Sequence, residues 1–137
     1  MNPATPPEAA VAARLNGSSS LVTGTNLFSG PEQAVGTGIP SAAVFCRTYG
    51  GLSPVPYLGN SADLRTFSVQ VLIRGDQGDY DTTRTLARTL WERLHRYLGA
   101  GGGYIDFMCQ QADPVDLGPG DDDRPRFSIN LDLRYSG

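Results

Sequence analysis

Arg65-Thr66-Phe67-Ser68-Val69-Gln70-Val71-Leu72-Ile73-Arg74, followed by Gly75-Asp76-Gln77-Gly78-Asp79, decides the fold. Side chains alternate from face to face along an extended chain, so Phe67, Val69, Val71 and Ile73 share one face of a strand. Ser68, Gln70 and Arg74 take the other face. The Gly/Asp run then turns the chain. Residues 80–98 switch to helical periodicity: Tyr80, Thr83, Leu86, Ala87, Leu90, Trp91, Leu94, Tyr97 and Leu98 share one arc. Arg84, Arg88, Glu92, Arg93, His95 and Arg96 occupy the rest of the helix surface. Asp79 or Asp81 stands where a cap is needed, and Gly99 stands where the helix should close.

Strands flank this unit on both sides. Residues 44–49 and 104–110 read as strands, the latter with Ile105, Phe107 and Cys109 on one face. In residues 126–135, Phe127, Ile129, Leu131, Leu133 and Tyr135 alternate with Ser128, Asn130, Asp132 and Arg134. Residues 112–125 form a loop rich in Asp, Gly and Pro. The expected architecture is α+β: a single mixed or antiparallel sheet of about four strands, with one main amphipathic helix packed on one face. The sheet's second face is polar and meets solvent or another chain.

Residues 1–43 carry only Glu8, Arg14 and Glu32 as charges. Thr5-Pro6-Pro7-Glu8 has the form of a capping box, residues 9–15 favour helix, and Asn16-Gly17 stops it. The rest reads as a long extended arm with Leu21, Val22, Leu27 and Phe28 as its apolar points. The expected organisation is thus a single domain over residues 1–137, with a helix and arm in 1–43 and the α+β core in 44–137.

Composition narrows the chemistry. The chain has 137 residues, of which 17 are Gly and 10 are Pro, so long loops on one core are expected. All 11 basic residues are arginine. A P-loop and a Schiff base both need lysine, so both are excluded. A net charge of −3 and a pI near 4.9 argue against general nucleic-acid binding, while leaving room for a local basic patch. No apolar run reaches the roughly 18 residues of a membrane span, and the start lacks the pattern of a secretory signal. Cys46 and Cys109 with His95 do not make a zinc site, and both cysteines are expected as reduced thiols.

No catalytic constellation, metal site or cofactor site is legible, so the chain reads as a non-enzyme. His95 falls on the polar side of its helix and reads as a surface residue. Asp121, Asp122 and Asp123 offer three readings: a calcium loop, an acidic contact surface, or a solvated loop. The alternating acids and distal Glu of a calcium loop are missing. Arg84, Arg88 and Arg96 lie in one i+4 row that suits phosphates, an acidic partner or plain solvent. The glycines at 99–103 do not follow a strand and make no phosphate loop.

One order of segments is more telling. Thr25-Asn26-Leu27-Phe28 stands in the arm, Ile39-Pro40 leads into the Val44 strand, and Gly50-Gly51-Leu52-Ser53-Pro54 follows it. Then come residues 67–74, Pro114-Val115-Asp116-Leu117-Gly118, Asp123-Arg124, and the final strand at Phe127-Ser128-Ile129-Asn130-Leu131. Over residues 21–134 this series resembles the minor capsid and tail terminator proteins of long-tailed bacteriophages. The resemblance implies an α+β fold and a ring, commonly of six subunits, that caps the tail tube and joins it to the head in the virion. It implies the tail tube protein and head-completion or connector proteins as partners, and assembly in the host cytoplasm. Viral DNA would pass through without sequence-specific binding. It carries no catalytic residue. On this reading Asp121, Asp122 and Asp123 line the DNA passage, and Leu27, Phe28, Arg84, Arg88 and Arg96 are candidates for subunit or partner contacts. The alternatives are a head-completion adaptor of the neck and a small module for an acidic or glycan ligand.

Overall fold

The computed structural model describes residues 3–30, 42–52, 54–56, 63–119 and 122–136. In chain order its elements are α1 (Pro7–Leu15), β1 (Leu27–Ser29), β2 (Ala43–Gly51), β3 (Val55–Pro56), β4 (Asp63–Arg74), α2 (Tyr80–Leu94), β5 (Tyr104–Cys109), β6 (Val115–Asp116) and β7 (Arg126–Ser136). They form the expected α+β fold around one mixed sheet, ordered β1-β2-β4-β7-β5, with β3 on β4 and β6 on β7. Among the strands of the described residues, only β1 runs parallel to its neighbour. The sheet has more strands than expected because β1, β3 and β6 span two or three residues each, too few to show alternation.

The central pair is β4 with β7, in register from Leu64 opposite Ser136 to Arg74 opposite Arg126. That register puts Val69 against Leu131 and Ile73 against Phe127, so both apolar faces coincide. On β2, Val44 and Cys46 lie opposite Ile73 and Val71 and extend the same face. α2 covers β7 and β5, α1 covers β2 and β1, and the helices touch each other. The core is thus one layer of helix on one layer of sheet. Leu90 and Leu94 of α2 and Val11 and Leu15 of α1 are fully buried in it. No helix of the described residues is long and apolar enough to cross a membrane.

Gly75 allows α2 to start so close to β4. A Cβ there would lie 1.8 Å from Thr83 Oγ1, so any side chain would push α2 away from the sheet. Gly51 serves the β2 bulge: its φ is +150°, and a Cβ would lie 1.9 Å from the Thr66 carbonyl oxygen.

Several expectations change. α2 ends at Leu94, not near residue 98. Arg96 has φ +61°, its N–H donates to the Phe107 carbonyl at 2.8 Å, and the Phe107 N–H donates to the Tyr97 carbonyl at 3.0 Å. The chain leaves the helix because β5 offers these partners, and Leu98, assigned to the apolar arc, is exposed. On β5 a bulge between Tyr104 and Asp106 puts Tyr104, not Ile105, on the core face beside Phe107. Neither helix start is capped as read. Pro6 and Asp79 precede α1 and α2 without a side-chain cap bond, and Glu8 instead accepts a 2.6 Å bond from the Thr48 hydroxyl. The arm is docked in its first part, since Leu21 and Leu27 are core residues; its remainder, 31–41, lies outside the described residues.

Candidate functional site

The two helices cover one face of the sheet, and the other face carries a connected polar surface. Alternation assigns it Arg47 and Tyr49 of β2, Ser68 and Gln70 of β4, Asn130, Asp132 and Arg134 of β7, and Asp106 of β5. Arg47 Nε donates to Gln70 Oε1 at 3.0 Å, and the Ser68 hydroxyl donates to Asp132 Oδ1 at 2.8 Å. Gln110 Nε2 donates to the same Asp132 oxygen at 2.9 Å and to the Tyr49 hydroxyl at 3.1 Å. The Tyr49 side chain therefore lies across β4 and β7 to reach the far end of β5. Arg134 grips Asp106 with two N–H groups, one at 2.8 Å and one shorter. The Arg134 bonds hold the Asp106 carboxyl below its ordinary range against the opposing effect of burial. Side chains ordered in advance lose less entropy on binding than free ones do. The sequence marked this face as polar; its bonds across non-neighbouring strands depend on sheet order.

One end of the same face is apolar. Phe28 stacks on Phe45 with ring centroids 5.6 Å apart, and the Arg74 guanidinium lies 5.5 Å from the Phe45 centroid. Phe28 is half-buried and keeps an accessible edge, as a contact residue needs. Leu27 does not: it is fully buried under α1, because β1 pairs with β2 and turns Leu27 to the core.

The β5 edge of the sheet is covered, and the β1 edge is covered at Leu27. Along β5, Phe107 is paired by Arg96 and Tyr97, and the Cys109 N–H donates to His95 Nδ1 at 3.1 Å. His95 is thus half-buried and stacked on Trp91 at 4.7 Å, not a solvated surface group. Beside β1, the chain folds back so that the Gly24 N–H meets the Leu27 carbonyl at 2.9 Å. The cover on β5 blocks strand addition there.

The arginine row divides. Arg84 and Arg88 share Asp113, at 3.2 and 3.5 Å, whereas Arg96 lies beyond the helix and off the row. The aspartate run is also less uniform than its sequence. Asp121 lies outside the described residues. Asp122 is bound by Arg126 at 2.7 and 3.0 Å and by the Arg124 N–H at 3.3 Å. The Arg126 bonds, more than any other contact, hold its carboxyl far below the ordinary range. Asp123 is exposed with φ +57° and has no ion pair among the described residues.

Cys46 and Cys109 are free thiols on β2 and β5. Three strand spacings separate them, roughly 14 Å, beyond the reach of a disulfide. Burial pushes both thiols up to about 12, helped at Cys46 by the Glu8 charge. Among the described residues no three His, Cys, Asp or Glu side chains are placed to hold a metal ion. No protein-family model matches the chain, and no curated protein matches it.

Proposed function

We propose that this chain is a structural subunit of the phage tail terminator type, assembling into a ring that caps a tail tube and joins it to the head. The observation that carries the reading is the division of the sheet. Both helices serve the core, while a polar face four strands wide is held in order by Arg47, Tyr49, Gln70, Asp132 and Arg134 with no core to serve. The order of sequence segments supports the same reading, and the α+β fold is the one that the resemblance implies. With the β5 edge covered by residues 95–97, subunits meet through faces and loops, not by adding a strand to β5. DNA passes through such a ring without sequence-specific contacts, as the acidic net charge favours.

The test is mass in solution at micromolar concentration, followed by electron microscopy with purified tail tubes. A closed ring seated on tube ends is the expected result. A protein that stays monomeric, caps no tube and joins no head would refute the reading.

A further inference from the structure

Side chains without an ion pair are unevenly distributed along the strand axis. At the end where β4 runs into α2, Asp76, Asp79, Asp81, Asp116 and Asp123 have no ion pair with any described residue. Four arginines there, Arg74, Arg84, Arg124 and Arg126, offset part of this charge; Arg126 and Arg124 are drawn to Asp122, Arg84 to Asp113, and Arg74 is buried. At the other end, where both helices finish, Arg14, Arg93 and Arg96 have no carboxylate partner among the described residues. Glu92 in α2 and Asp63 at the start of β4 offset part of this charge but pair with none of the three. Arg14 and Arg93 use their Nε groups on each other's backbone carbonyls, at 3.0 and 2.8 Å, and Arg14 stacks 3.8 Å from the Tyr97 centroid. The Arg14 side chain also lines an open cleft of about 290 Å³ with Thr5, Tyr97, Gly101 and Tyr104. The two ends lie one α2 length apart, about 21 Å.

Arginines without an ion pair among the described residues, beside a cleft in a protein of net charge −3, call for an anionic partner, and the same molecule presents one at its opposite end. We infer that the aspartates at the start of α2 and around Asp116 and Asp123 dock against the Arg14, Arg93 and Arg96 patch of a second copy. The contact joins two different surfaces, so it propagates head to tail and closes when the rotation between copies divides a full turn. This inference rests on the ring reading and specifies its interface. It makes the acidic loop a subunit contact in place of the lining of a DNA passage.

The experiment uses two charge reversals on the full chain, each checked for a parental melting curve. Asp76→Arg with Asp123→Arg makes both ends positive. Arg96→Glu weakens the arginine patch while sparing the two carbonyl bonds of Arg14 and Arg93. Each variant alone should dissociate at least about tenfold more readily than the parent at low salt. Mixing the two should restore part of the assembly, because the unaltered acidic end of the Arg96→Glu variant meets the intact arginine patch of the other, and the charge reversed at position 96 meets those reversed at positions 76 and 123. Assemblies of the parent should loosen as salt rises. If the parent forms a ring and both variants form it equally well, the interface is elsewhere and the ring reading stands. Dissociation without recovery on mixing also overturns the inference, whether the patch serves another anion or the variants fail for other reasons. A parent that is monomeric at low salt overturns both the inference and the ring.

Discussion

Removing the reciprocal arginine bonds should release α1 before the rest of the fold. α1 has nine residues, too few to be stable alone in water. It is held by burial of Val11 and Leu15 and by two bonds at its C-terminal end, Arg14 Nε to the Arg93 carbonyl and Arg93 Nε to the Arg14 carbonyl. Each arginine thus satisfies a carbonyl near the end of the other helix, where cations are favoured. A hydrogen bond from a charged donor contributes about 1.5–3 kcal/mol when buried, and about 1 kcal/mol is a fair share for these partly exposed ones. Arg14 also stacks on Tyr97, worth about 0.5–1 kcal/mol. Arg14→Met keeps the apolar stem, loses both interactions, and should raise opening of α1 by roughly 10- to 30-fold. Arg93→Met loses one bond and should raise it about fivefold. Hydrogen exchange followed by mass spectrometry reads this directly. Amides of residues 10–16 should exchange faster in both variants, while those of β4 and β7 keep their protection. Unchanged protection in α1, or an equal loss throughout the sheet, would refute the assignment of these bonds as the clamp on α1.

Gly75→Ala should lower stability by about 1–3 kcal/mol in a urea melt, because the new methyl collides with Thr83 at the β4–α2 junction; pairing it with Thr83→Ser, which removes the Cγ2 methyl 3.0 Å away but keeps the hydroxyl, should give only partial relief. Asp106 titrates below its ordinary value in the fold, so its contribution to stability is complete above the unfolded-state carboxylate range and is lost as pH falls through and below it. Thermal melts should therefore show the parent weakening on acidification below about pH 4, with Asp106→Asn weaker than the parent at neutral pH and less sensitive to acid. Thiol titration should find two free thiols in denaturant, with the native protein labelling slowly at pH 8 because both thiols are pushed up to about 12 by burial; fast native labelling or fewer than two thiols would contradict the placement of Cys46 and Cys109.

What the sequence determined by itself was the layer plan. The alternation in residues 67–73 and 127–135 and the helical period from Tyr80 to Leu94 are local and strong, and the register of β4 on β7 simply brings two such patterns together. The same locality explains the misreadings. Apolar phase continues through Leu98, yet α2 stops at Leu94 because the backbone of Phe107, far along the chain, captures Arg96 and Tyr97. β1 is three residues long, and only its pairing with β2 turns Leu27 inward and Phe28 outward. The aspartate run looked like uniform charge, but folding gives Asp122 to Arg126 and leaves Asp123 open. The arginines carried no sequence signal of their roles. Asp113 takes Arg84 and Arg88, the helix ends take Arg14 and Arg93, and Arg96 is left exposed. Periodicity is set between near neighbours in the chain, so it can be read from sequence. Which charges cancel, and which are left for a partner, depends on contacts across the fold, and these exist only once the sheet order has been chosen.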